Sequence, residues 1–118
     1  MSLFGSVENK IAILVDDIID TAGTACKAAK TLHDFKALKV YMYACHGLLS
    51  NNALEKIKES KFERIVITNT VYLNQHIKNH SKIEILNVSK LCAEVIKRID
   101  NGESLSYLYE QNEPIYTI

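Results

Sequence analysis

The chain has 118 residues, 47% hydrophobic and 24% charged, with fourteen Lys and Arg balancing fourteen Asp and Glu. That is one domain's worth of chain with enough apolar content for a core, and the balance excludes a disordered chain and a basic field that draws nucleic acid. No apolar run nears the roughly 18 residues of a membrane span, and three cysteines without a CxxC spacing exclude a secreted disulfide framework, so the expectation is a reduced, cytoplasmic domain with no membrane contact.

In chain order, Leu3 to Val7 reads as a short strand, Glu8-Asn9-Lys10 as a polar turn, and Ile11 to Val15 as a second strand ending in Asp16-Asp17. The run IAILV is apolar at every position, which suits a parallel strand buried on both faces. Ala25, Cys26, Ala28, Ala29, Leu32 and Phe35 then recur at helical spacing, with Lys27, Lys30, His33, Asp34 and Lys36 opposite. Lys39 to Ala44 is strand-like and leads into the loop HGLLSNN, after which Asn52 is placed to cap a short helix bearing Ala53, Leu54 and Ile57. Arg64 to Thr68 predicts a third buried strand, Asn69 to Ser81 an irregular polar stretch, and Lys82 to Leu86 a fourth strand. Val88, Leu91, Cys92, Val95, Ile96 and Ile99 follow the pattern of a last helix stopped by Asn101-Gly102. Strands alternating with helices predict βαβ units and a mostly parallel sheet.

The informative segment is ILVDDIIDTAGT, Ile13 to Thr24. Ligands of open α/β sheets bind beyond the carboxyl ends of the strands, where Asp16 and Asp17 lie; Asp20 and Thr21 occupy the turn, Gly23 admits close approach, and Thr24 opens the helix. Free N–H groups at the helix start, beside two threonine hydroxyls, suit a phosphate. Three carboxylates oppose that use. At an effective dielectric of ~20 and a distance of ~6 Å, each repels a dianion by roughly 5 kcal/mol, while a helix N-terminus returns about 0.3–2 kcal/mol. Ionised carboxylates only accept hydrogen bonds, so they call for hydroxyl donors or a cation. A ligand with phosphate at one end and a diol at the other, with Mg²⁺ nearby, meets both needs, and a ribose phosphate is the economical choice. A phosphoacceptor receiver domain is the rival, but it needs an Asp at the end of a middle strand, and Cys45-His46 and Asn69-Thr70 stand there instead.

VDDIIDTAGT, Val15 to Thr24, resembles the phosphoribosyl-diphosphate (PRPP) binding signature of type I phosphoribosyltransferases and ribose-phosphate pyrophosphokinases. CHGLLSNNALEKI, RIVITNT and VSKLCAEVIKRIDNGESLSYLY resemble, in order and spacing, the carboxy-terminal part of a PRPP synthetase, so residues 1–118 are expected to be such a part. The resemblance implies a three-layer α/β fold with a mostly parallel sheet of the type I phosphoribosyltransferase kind, incomplete at its N-terminal side. It implies a reaction, transfer of diphosphate from ATP to ribose 5-phosphate with Mg²⁺. By position, Asp16 and Asp17 would hold the ribose hydroxyls and their metal, and Asp20, Thr21, Ala22, Gly23 and Thr24 the 5-phosphate. Ser104, Leu105, Ser106 and Tyr109 match a segment bordering the family's allosteric site between subunits.

Departures from the pattern are Cys45 for Thr, Asn51-Asn52 for Gly-Pro, and Tyr109 for Phe. The family's adenine-binding half with its basic catalytic loop has no counterpart in these residues. The chain alone is therefore expected to be inactive, with no catalytic residue assigned, and to meet ATP only together with such a half. Expected partners are ribose 5-phosphate or PRPP, and further copies or synthetase subunits through an uncovered edge or apolar patch. A non-catalytic regulatory relative and a phosphoribosyltransferase are the alternatives. Among other constellations, His76 and His80 are spaced for one helix face but read as a polar surface stretch. His46 sits at a strand end, a better functional address, and Cys26 and Cys45 have no visible base to activate them.

Overall fold

The apolar runs all become strands of one sheet. In the computed structural model, which describes residues 3–110, β1 (Ile11–Ile19), β2 (Lys39–Gly47), β3 (Arg64–Thr68) and β4 (Ile83–Leu86) lie in the order β1-β2-β3-β4, each parallel to its neighbour. The connections carry α1 (Gly23–Asp34), α2 (Ala53–Glu59) and α3 (Gln75–Lys78); α4 (Ser89–Asp100) and α5 (Tyr107–Glu110) follow the last strand. This is the α/β architecture with a parallel sheet that the alternating pattern predicts.

The core lies between the sheet and the helices α1 and α2. Val40, Met42, Ala44, Ile65, Ile67 and Ile83 turn one face of the sheet toward Ala29, Ala53 and Ile57. Alanines at the helix positions let the helical backbones sit close to the β-branched layer, and Ile57, Ile65 and Ile67 lose all contact with solvent. Burying each such side chain stabilises the fold by roughly 1.5–3 kcal/mol.

On the opposite face exposure grades across the sheet. Ile13 pairs with Tyr41, and Val15 with Tyr43, which pairs with Val66. Tyr41, Tyr43 and Val66 are half-buried, whereas Ile13 and Val15 are 65% and 76% exposed. The apolar stripe of α4 is likewise uncovered. No residue of α4 is buried, and Ile96 is 68% exposed. The radius of gyration, 16.6 Å, exceeds the about 13 Å of a compact chain of 100 residues, in keeping with these open surfaces.

Several elements differ from the sequence reading. Leu3 to Val7 is not a strand: Gly5 has φ +91° and Phe4 is exposed. The polar turn expected at Glu8-Asn9-Lys10 does form, with Lys10 N–H donating to Val7 O and Asn9 N–H to Lys36 O. The strand β1 runs four residues past Val15 and β2 three past Ala44, because Ile18 and Ile19 pair with His46 and Gly47. The polar stretch after β3 contains α3, capped by Asn74, whose Oδ1 accepts from Ile77 N–H at 3.1 Å. Asn52 stands at the N-cap of α2 as expected, but its side chain makes no capping bond. Among the described residues, no helix is long and apolar enough to cross a membrane.

Candidate functional site

The carboxyl ends of β1 and β2 depart from regular alternation at one level. Leu14 and Ile19 both face the core although five positions apart. Gly47 turns the same way as Ala44, since a Cβ on Gly47 would meet the Ile67 side chain. A strand of period two cannot place residues at odd spacing on one face. Both strands therefore slip by one position around Asp16 to Ile18 and their partners Ala44 to His46. Such irregularities re-aim side chains beside binding sites.

Beyond this slip lies an open cleft of about 590 Å³ lined by Asp16, Asp20, Thr21, Ala22, Gly23 and Thr24, with Leu14, Ile18 and Met42 among the apolar walls. Six of the seven residues expected to hold a sugar phosphate thus line one concavity. The seventh, Asp17, is exposed and outside the lining; its N–H donates to Asp16 Oδ1 at 2.9 Å. The helix α1 begins one residue earlier than expected, at Gly23. Its N-cap is Ala22 in the left-handed region (φ 59°), with no side-chain capping bond and no acidic residue in the first turn. A 12-residue helix whose first N–H groups have no capping side chain is suited to accept an anion there.

The turn is braced by the β2–α2 connection, whose role sequence reasoning missed. Leu48 and Leu49 N–H both donate to Ile19 O, at 2.9 and 3.3 Å. Ser50 donates its hydroxyl and, at 3.4 Å, its N–H to Asp20 Oδ1, and Lys56 Nζ donates to Thr21 O at 3.1 Å. Ala22, Leu49 and Asn51 all have positive φ, a conformation that costs a non-glycine residue energy and persists where its surroundings hold it. The two loops supply that hold for each other. The signal in the sequence was the match of the CHGLLSNNALEKI segment, without a spacing that pairs it with Asp20.

The remaining candidates fall elsewhere. His46 does not line the cleft; its Nδ1 is 2.7 Å from Thr70 Oγ1, in a network where the Thr68 and Thr70 hydroxyls donate to Cys45 O. Both ring nitrogens of His80 are engaged, Nε2 with Leu54 O and Nδ1 accepting from Lys82 N–H, so this residue ties α2 to the start of β4. The Ser104 to Tyr109 segment is gathered by Arg98, which donates to Ser104 O, pairs with Glu94 at 2.9 Å, and lies 4.5 Å over the Tyr107 ring. Tyr109 itself is exposed. Cys26, Cys45 and Cys92 are free thiols. Burial pushes the Cys26 thiol above its usual pKa, against smaller opposing effects of Ser60, Lys56 and Lys82.

A parallel sheet with an uncapped helix opening onto an acidic turn at its carboxyl edge is an open α/β architecture of the kind that phosphoribosyltransferase-like folds share. The sequence profile of the family described as phosphoribosyl synthetase-associated domain matches residues 1–110. The ribose-phosphate pyrophosphokinase 3 of Saccharomyces cerevisiae is 45% identical over 115 residues, which make up 98% of this chain and 36% of that protein. The crystal structure of the phosphoribosylpyrophosphate synthetase from Mycobacterium smegmatis superposes with a TM-score of 0.80 at 31% identity, over 84% of this chain and 33% of that one. The chain belongs to the PRPP synthetase family and spans about a third of the length of these relatives.

Proposed function

We propose that this chain is the carboxy-terminal, ribose-5-phosphate-binding portion of a ribose-phosphate pyrophosphokinase, whose reaction transfers diphosphate from ATP to the sugar. The observation that carries the reading is the convergence of Asp16 and the Asp20–Thr24 turn on one cleft at an uncapped helix start. In this reading the α1 N–H groups and the Thr21 and Thr24 hydroxyls hold the 5-phosphate, and the carboxylates accept from the ribose hydroxyls. Ser50 engages one oxygen of Asp20, which tempers the repulsion that carboxylate exerts on the anion.

Mg²⁺ fits this donor set. Asp16 lines the cleft and offers hard carboxylate oxygens there, and Mg²⁺ is commonly held by one or two carboxylates and completed by water and substrate phosphate. Among the described residues no group of three or more His, Cys, Asp and Glu is placed to hold a metal, so the substrate would share in its binding. Bound there, the ion would neutralise charge on the sugar and its diphosphoryl donor. The ATP site and the cationic groups that phosphoryl transfer depends on belong, in this reading, to a second half supplied by the rest of the protein. A reducing, cytoplasmic setting belongs to the same reading.

Titration calorimetry with ribose 5-phosphate, with and without Mg²⁺, tests the reading. Saturable heat that Mg²⁺ strengthens and Asp20→Ala weakens is expected; an absence of heat with both ribose 5-phosphate and PRPP overturns it. The exposed Ile11, Ile13 and Val15 on β1 favour a second reading, a non-catalytic subunit that joins active synthetase subunits. Co-purification with a full-length synthetase, without ligand binding, would select it.

A further inference from the structure

The cleft is lined by Asp16 and Asp20, and among the described residues no lysine or arginine lines it, yet the ligand read for it carries two negative charges. A cation reaches the turn from behind. Lys56, exposed on α2 and 35 residues further along the chain, donates from Nζ to Thr21 O at 3.1 Å without lining the cleft. That bond sets the ammonium beside the β1–α1 turn. In a trans peptide the carbonyl and the following N–H point in opposite directions. Holding the Thr21 carbonyl toward α2 therefore turns the N–H of Ala22, a residue that does line the cleft, away from α2.

We propose that Lys56 is a positioning residue of the phosphate turn, acting on the phosphate of a sugar phosphate through the Thr21–Ala22 peptide without touching it. The inference rests on the reading of the cleft as a sugar-phosphate site. Two effects combine. The Thr21 carbonyl, whose negative end would repel an anion, is held on the outer side of the turn and partly neutralised. The left-handed conformation of Ala22 (φ 59°), which an unrestrained alanine disfavours, is kept in place. The role differs from that of a lysine bonded to phosphate, because it needs the geometry of the peptide as well as the charge.

The test compares wild type with Lys56→Met, Lys56→Gln and Lys56→Arg by calorimetry with ribose 5-phosphate and with ribose, and by amide hydrogen exchange of the free proteins. Hydrogen bonds to charged groups set the scale of the effect, about tenfold in affinity. Lys56→Met is expected to weaken ribose 5-phosphate by that factor, to leave ribose unchanged, and to speed exchange at Cys26, whose N–H donates to Ala22 O. Lys56→Arg restores both measures, and Lys56→Gln restores the exchange more than the affinity. Ribose 5-phosphate bound equally by wild type and Lys56→Met overturns the inference and leaves the proposed function standing. If wild type binds no sugar phosphate, the proposed function fails. Exchange then decides for the turn itself, where equal rates in wild type and Lys56→Met contradict the positioning role and faster rates in Lys56→Met sustain it.

Discussion

Ser50 and Asp20, 30 residues apart, are joined by the Ser50 hydroxyl and N–H, both donating to Oδ1 of Asp20. The bond joins the connection after β2 to the turn after β1, so the two residues should act as a unit. Ser50→Ala and Asp20→Ala are each expected to weaken ribose 5-phosphate binding. The double variant should fall short of the sum by about 0.5–3 kcal/mol, the range for residues in one hydrogen-bonded network. A calorimetric double-mutant cycle measures this, and strict additivity would show that the bond does not matter to the site.

Gly47 leaves no room for a side chain against Ile67. A Cβ there would lie 2.6 Å from Ile67 Cδ1 and 3.2 Å from Ile67 Cγ2, and Ile67 is fully buried. Gly47→Ala should cost about 1–3 kcal/mol, as overpacking does in close-packed cores. Urea unfolding would read this as a lower midpoint. Pairing Gly47→Ala with Ile67→Val should recover part of the loss.

The thiols separate by burial. Cys45 and Cys92 are exposed and Cys26 is partly buried, so a thiol reagent should modify the first two well before the third. Burial holds the Cys26 thiol in its neutral form, so the folded state keeps a proton that the unfolded chain gives up from roughly pH 8.5 upward. Its contribution to stability is full below that value and declines as the pH rises through the folded thiol's own titration. Cys26→Ala should flatten the alkaline limb of the stability profile, and an unchanged limb would assign it to other groups.

The parts of the fold legible in the sequence are those whose signal is local. RIVIT and the stripe from Val88 to Ile99 carry their period within a few residues and form β3 and α4 as expected. The acidic turn was legible for the same reason, since Asp16 to Thr24 are contiguous. Leu3 to Val7 has a strand's composition, but it bends at Gly5 instead of joining the sheet. The slip near Asp16 depends on pairing with β2, and the contacts of Ser50 and Lys56 span 30 and 35 residues. No spacing within one segment announces such contacts. The same limit applies to α4, whose apolar stripe is plain while its cover is not.

The open face of β1 is an edge strand with exposed Ile11, Ile13 and Val15, a combination that promotes pairing with other chains. Sedimentation velocity should show concentration-dependent association of the chain. Ile13→Lys with Val15→Lys should shift it toward monomer with little change in folding, because both side chains are already in solvent. Association unaltered by the double substitution would place the contact elsewhere, with the stripe of α4 as the next surface to change.

The four glycines offer the most direct test of the central claim, that the β1–α1 turn receives the phosphate of ribose 5-phosphate. In protein labelled with ¹⁵N at glycine alone, the account predicts that titration with ribose 5-phosphate and Mg²⁺ moves the amide signal of Gly23, at the start of α1. The signals of Gly5 and Gly102, in turns outside the cleft, stay in place. A saturating titration that leaves Gly23 unmoved would contradict it.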